Sequence, residues 1–365
     1  MTVLAVIGVL ALLIFVHELG HFLAARLQGI HVNRFSIGFG PILWSYQGPQ
    51  TEYALRALPL GGFVGFPDDD PDSDIPPEDP DLLRNRPVWD RAIVVSAGVI
   101  ANMIFAYLVF VLQFGSLGVP SVEPGVLIPQ VMTDAPAQAA GLQDGDVILG
   151  AKDETFGRGE GVQQDLIRVI QSNPEEPVDL MVLRDGRQLD LTVTPKVDPR
   201  SGDALIGVAL SPNYEIDADG TVVFRAARNP IELFSVAARE FQTQTGRVAT
   251  NMLALFTNFA DMAGQVASPV KIVEQGAGLA SDDIRTLFPL AAIISINLAI
   301  INILPLPALD GGQMAFLLIE AVRGKPLPMR LQESVMQTGI FLLLGLGIFL
   351  IVRDTTQLEV LQNLR

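Results

Sequence analysis

The chain has 365 residues, 49% of them hydrophobic, with a mean hydropathy of +0.39 and a formal net charge of −16. So apolar a composition excludes an ordinary soluble globule, and an acidic balance without a basic stripe excludes nucleic acid as an expected partner. The absence of cysteine rules out disulfides and thiolate metal ligands.

Thr2 to Val16 carries no charge and opens a first span, residues 1–30, that runs into His17-Glu18-Leu19-Gly20-His21. It lacks the basic n-region of a signal peptide, so retention in the mature protein is expected. On a helix the two histidines stand one turn apart on one face, within reach of a single Zn²⁺. The glutamate between them is then placed to take a proton from a metal-bound water. Ionisable groups at the end of an apolar run are costly unless paired or functional. The competing reading is a helix end whose polar side chains snorkel to the headgroups. Only three histidines occur in the chain, and two of them fall here.

Residues 31–66 alternate apolar, aromatic and β-branched positions with glycines, which predicts strands joined by glycine turns. Such a ribbon either dips into the bilayer, shielded by protein, or touches the interface from the cytoplasm. Residues 67–87 begin with a Pro- and Asp-dense stretch that predicts a solvated linker. A second span follows at 88–117, containing A-I-V-V-S-A-G-V-I-A-N-M-I-F-A-Y-L-V-F-V-L.

Residues 122–213 form an insert. R-D-G-R (Arg184 to Arg187) lies there between two alternating runs and signals a hairpin. Residues 228–282 read as an amphipathic helix (Ile231 to Met262) that starts after Pro230, followed by a loop with Gly/Pro turn signals at Ala267 to Gly278. The third apolar segment, 283–322, contains S-I-N-L-A-I-I-N-I-L-P-L-P-A-L-D-G-G-Q. Pro305 and Pro307 predict a broken helix whose freed carbonyls need satisfaction inside the protein. A lone carboxylate between apolar stretches calls for a cation, and two histidines leave a tetrahedral metal short of a protein ligand; Asp310 suits that vacancy, with water in the fourth position. An Asp-Gly turn at a helix break is the alternative. A fourth span lies at 334–353. Arg26, Arg34, Arg56, Arg84 and Arg86 in the first loop, with Arg323, Lys325 and Arg330 before the last span, place those loops in the cytoplasm. The insert and both termini then face the non-cytoplasmic side.

His-Glu-Leu-Gly-His together with Asn302-x-x-Pro-x-Pro-x-Leu-Asp-Gly resembles the paired signature of the site-2 proteases, intramembrane zinc metalloproteases, and nearly the whole chain shares the order of their parts. The chain is similar to bacterial members related to the regulator-of-sigma-E protease. The resemblance implies a polytopic α-helical membrane protein of about four transmembrane helices, with a membrane-associated β-ribbon and an inserted α+β PDZ-like domain. Ala-Gly-Leu-x-x-Gly-Asp-x-Ile (Ala140 to Ile148) resembles a PDZ segment, and the insert has room for one such domain. The family implies a zinc metalloendopeptidase with His17, His21 and Asp310 on zinc, Glu18 as base, and Asn302 holding the substrate backbone or the oxyanion. It also implies substrates with a transmembrane helix, such as anti-sigma factors or signal-peptide remnants, trimmed beforehand by another protease. The PDZ-like insert would bind peptide ends, filter by size, or act as a spacer. The expected location is a bacterial inner or internal membrane. The resemblance departs at Gln313, where many relatives carry histidine. A transporter or an inert scaffold on the same fold is the competing class of function; the two halves show no repeat, and Glu18 is intact.

Overall fold

The computed structural model describes residues 1–70, 73–159, 161–199, 202–218, 221–257 and 268–356. Residues 71–72 of the acidic stretch, 258–262 of the amphipathic stretch and Ala267 lie outside them. The chain forms two compact units, Met1–Ser116 with Asn229–Arg365, and Leu117–Arg228.

The first unit begins with α1 (Thr2–Leu27), then β1 (Arg34–Gln47), β2 (Glu52–Gly65) and α2 (Val88–Leu117). The ribbon is more folded than alternation predicts. Arg34–Ile37 face Gly65–Gly62 on one side and, running the same way, Glu52–Leu55 on the other, while Ile42–Gln47 run back against Arg56–Glu52. Each long strand therefore bends into two short ones. Their order places Gly62–Gly65 at an edge, to which no other described strand pairs.

The acidic stretch is tied down rather than loose. Asp70 accepts from Asn33 Nδ2 at 3.1 Å and from Arg34 Nη2 at 3.3 Å. Asp68 accepts from the Arg84 N–H at 3.0 Å, and Arg86 reaches Asp81 at 2.7 Å. Composition alone reads as solvated chain; the cations that anchor it come from the ribbon and from the approach to α2.

The second unit contains β3 (Val119–Pro120), β4 (Val122–Val131), α3 (Pro136–Ala139), β5 (Val147–Ala151), β6 (Glu154–Thr155), α4 (Val162–Gln171), β7 (Val178–Arg184), β8 (Arg187–Val193), β9 (Lys196–Val197), β10 (Ala204–Leu205), β11 (Val208–Tyr214) and β12 (Phe224–Arg225). Its antiparallel sheet runs β11-β4-β5-β7-β8, with β6 beside β5. Val126, Ile128, Ile148, Leu166, Leu180 and Val182 form the dry interior. Asp185 and Gly186 join β7 to β8 with φ of 51° and 74°, the left-handed pair of a type I′ turn. The unit is wider than 122–213 because β12 pairs with β3 and closes its base.

Buried Asp146 sits at the strand entrance of the Gly-Asp signal, taking 2.7 Å bonds from Arg184 Nε and Nη2 and a 2.9 Å bond from the Gln143 N–H. Burial pushes this carboxyl up, but those hydrogen bonds outweigh it and hold the group below the usual carboxylate range.

Back in the first unit, α5 (Pro230–Thr257) and α6 (Pro269–Asp282) precede α7 (Leu287–Ile303), α8 (Asp310–Arg323) and α9 (Met329–Thr356). Within the stretch Ala267 to Gly278, the turn signals from Pro269 onward lie instead on a helix. Ser268 Oγ caps it by accepting from the Lys271 N–H, and Pro269 suits its first position. Its small residues pack: Ala277 and Ala280 are buried, and Gly276 approaches Val6 and Leu290.

Among the described residues four helices are long and apolar enough to cross a membrane: α1, α2, Ile284–Ile303 and Met329–Thr355. This is the polytopic architecture with one inserted α+β domain that the sequence predicts.

Candidate metal centre

His17 and His21 stand one turn apart on α1, and Asp310 is the first residue of α8. Between α7 and α8 the two prolines end the helix, and Ala308 takes a φ of 71° that turns the chain toward α1. The Ala308 N–H is satisfied by Met336 Sδ of α9 at 3.3 Å. Gly311 and Gly312 let the first turn of α8 lie directly on the carbonyls of Ile303, Leu304 and Leu306. Arg91 of α2 grips Glu320 of α8 through both guanidinium nitrogens, Nη1 at 3.1 Å and Nη2 closer, which ties the helix of Asp310 to α2.

The three ligand atoms form an equilateral triangle. His17 Nε2 to His21 Nε2, His17 Nε2 to Asp310 Oδ2 and His21 Nε2 to Asp310 Oδ2 are each 3.3 Å. A tetrahedral zinc with bonds of about 2.0–2.1 Å spans its ligand atoms by about 3.3–3.4 Å. The side chains are only 13%, 12% and 17% exposed, and Asp310 Oδ2 is buried without a hydrogen-bond partner among the described residues. His21 Nδ1 lies 2.8 Å from the Val94 carbonyl, which can only accept, so its hydrogen is on Nδ1 and Nε2 presents a lone pair. This donor set fits a divalent metal of zinc type.

Glu18 stands beside the edge strand: a Cβ at Gly62 would lie 2.8 Å from Glu18 Cγ. Asn302 Nδ2 is 3.2 Å from His17 Nε2. Glu18, the histidines, Asn302, Asp310 and Gln313 line one cavity of about 680 Å³, walled by Phe39, Gly62–Val64, Ile340 and Leu344. All five candidate site residues therefore face one space, which the ribbon and α9 help to enclose. The cluster of His31, Asp79 and Asp81 is already committed within the protein, Asp81 to Arg86 and Asp79 to the Asp81 N–H at 2.8 Å.

The model of peptidase family M50 matches residues 5–346. The chain belongs to peptidase family M50, the site-2 proteases. This M50 chain is 57% identical over 364 residues to a "putative zinc metalloprotease" of Nostoc sp., covering 98% of this chain and 97% of that protein. It is 47% identical to the chloroplastic membrane metalloprotease ARASP of Arabidopsis thaliana, over 100% of this chain and 80% of that one. A solved PDZ domain of an SdrC-like protein from Listeria monocytogenes aligns with 25% of this chain and 93% of its own, at 22% identity and a TM-score of 0.22. The M50 protein is a zinc metalloendopeptidase and an integral membrane protein.

Sequence reasoning overlooked part of this M50 site. Gly98 of α2 lies against both imidazoles, and Asn102, one turn on, has its side-chain nitrogen 3.3 Å from His17 Nδ1. The available signal was a carboxamide in the middle of an apolar span, one turn after a glycine. The edge position of Gly62 had no local signal, since it depends on how the ribbon folds back.

Proposed function

We propose that this peptidase hydrolyses peptide bonds in or next to the transmembrane segments of membrane proteins, with His17, His21 and Asp310 as the zinc ligands and Glu18 as general base. The observation that carries the reading is the ligand triangle on the apolar helix α1, beside the edge strand Gly62–Gly65. His21 lies under two turns from Leu27, about 9 Å along the helix, so the reaction would occur within the leaflet nearer the end of α1.

Bound there, zinc would supply a Lewis acid that polarises the scissile carbonyl and makes water acidic. Glu18 takes the proton of the attacking water and passes it to the leaving amine. Asn302 offers its amide hydrogens to the carbonyl oxygen that gains charge. A substrate helix hides its amides in its own hydrogen bonds, so it must unwind before cleavage. The edge of Gly62–Gly65 offers the unwound segment replacement backbone partners by strand addition.

The substrates are membrane proteins trimmed beforehand by another protease, of the kind that leaves anti-sigma factor stubs or signal-peptide remnants. The PDZ-like unit faces the non-cytoplasmic side of a bacterial inner or internal membrane and admits only shortened stubs. Its apolar groove of about 360 Å³, between α4 and the strands around Gly207, adjoins the edge strand β11 and suits an extended chain end.

The test is cleavage of a single-span model substrate with a shortened outer domain by the full-length protein in detergent. Glu18→Gln is expected to retain zinc and to cleave at least about 100-fold more slowly. Undiminished cleavage by that variant would refute the base, and cleavage that survives complete removal of zinc would refute the metal mechanism.

A further inference from the structure

Asn102 is completely buried at the crossing of α1, α2 and α7, in a span that is otherwise apolar around it. Burying a carboxamide without partners is costly, so both its ends call for an explanation. Its backbone carbonyl accepts a 2.8 Å bond from Ser295 Oγ, itself buried on α7. Its side-chain Nδ2 lies 3.3 Å from His17 Nδ1, while its Oδ1 is buried with no partner among the described residues.

The chemistry of the imidazole decides which end of the amide belongs against it. His17 presents a lone pair at Nε2, toward His21 and Asp310, only if its hydrogen resides on Nδ1. That hydrogen needs an acceptor, which an amide NH₂ cannot provide. A half-turn of the carboxamide, which exchanges two ends of nearly equal size, sets Oδ1 in its place. The oxygen then gains a donor, the NH₂ takes the position the oxygen leaves, and His17 is locked in the tautomer a metal requires. The opposite arrangement puts the hydrogen on Nε2, where it faces Asp310 Oδ2 and denies the site its first ligand. His21 is held by the same logic, with the Val94 carbonyl of α2 as its acceptor. The two ligands of α1 thus each lean on α2, one on backbone and one on a side chain.

We propose that Asn102 is a positioning residue that accepts the Nδ1–H of His17 and so fixes that ring for metal binding. This rests on the zinc site proposed above, and its test reads metal binding and ligand field rather than proteolysis. Full-length wild type, Asn102→Leu and Asn102→Asp are titrated with zinc against a competing chelator in detergent. Asn102→Leu keeps the volume and removes the acceptor, so its zinc dissociation constant is expected to rise about 10–100-fold. Asn102→Asp restores an acceptor and is expected to recover most of the affinity. Wild-type affinity in Asn102→Leu, or an equal loss in both variants, would overturn the proposal and leave Asn102 as helix-packing glue. If Asn102→Leu does not fold, the Co²⁺-loaded Asn102→Asp protein decides. A carboxylate acceptor makes His17 a stronger donor and shifts the visible d–d bands, whereas bands superimposable on wild type would overturn the proposal. Had the triangle itself been misassigned, wild type would bind neither ion at this site, a result separable from any effect of Asn102.

Discussion

Gly98→Ala adds one methyl group where both imidazoles already fill the space. An ideal Cβ at residue 98 lies 2.7 Å from His17 Cε1 and 2.7 Å from His21 Cε1, and closer still to His21 Nε2. Carbon atoms in contact stay about 3.5–4.0 Å apart, so the rings must retreat by about 0.8–1.3 Å or α2 must move off α1. The second route has its own cost, because Gly20 of α1 packs closely on Ala97 and Ala101 of α2 and that contact would be opened. A metal site tolerates ligand displacements of only about 0.2 Å. Zinc affinity is therefore expected to fall at least about 100-fold, or about 2.7 kcal/mol, alongside about 1–3 kcal/mol of overpacking cost to the fold. The assay is competition with a chromogenic chelator on the full chain in detergent. Gly8→Ala serves as control, since no described residue lies within 4 Å of its Cβ position. Unchanged zinc affinity in Gly98→Ala would refute the close packing of α2 against both imidazoles.

Asp310→Ala is expected to weaken zinc by more than the about 100-fold typical of an outer-shell loss, and undiminished occupancy in metal analysis would remove Asp310 from the ligand set. Gly62→Ala places a methyl 2.8 Å from Glu18 Cγ, so kcat should drop about 10–100-fold with zinc retained; a variant with normal kcat would show that Glu18 has room to spare. In the insert, Asp146→Asn breaks a largely buried ion pair and should cost about 2–3 kcal/mol at pH 7, between the surface and fully buried limits. Because the folded-state pKa of Asp146 is depressed, its contribution is complete above the unfolded value of about 3.9 and disappears as pH falls through the lower folded value. Limited proteolysis of the insert from pH 7 down to pH 2 should then show wild type losing its advantage over Asp146→Asn; a constant difference would contradict the linkage.

The spans were legible because length and hydropathy decide them without tertiary information. His17, Glu18 and His21 were legible because helical spacing is local. Asp310 stood out for a different reason, as a charge in apolar surroundings beside two prolines, and the structure brings its Oδ2 within 3.3 Å of both histidines. What stayed hidden is non-local. Alternation along residues 34–65 announces strands, yet nothing in it tells that Arg34–Ile37 pair on both sides, and that pairing sets Gly62 beside Glu18. Asn102 reads equally well as interhelical glue until the ring across from it is known. The acidic stretch reads as solvated chain because composition does not disclose that Arg34, Arg84 and Arg86 reach back to it.

The triangle also has a history within each molecule's synthesis. His17 and His21 leave the ribosome with the first helix, whereas Asp310 follows about 290 residues later, roughly 15–60 s at ordinary elongation rates. On the ligand set proposed above, the emerging chain until then holds two imidazoles and a glutamate but no third ligand, so it would have no cutting power among the nascent helices that share its insertion machinery. On that reading the centre is assembled only once Asp310 has been made, and a product truncated before residue 310 would lack it.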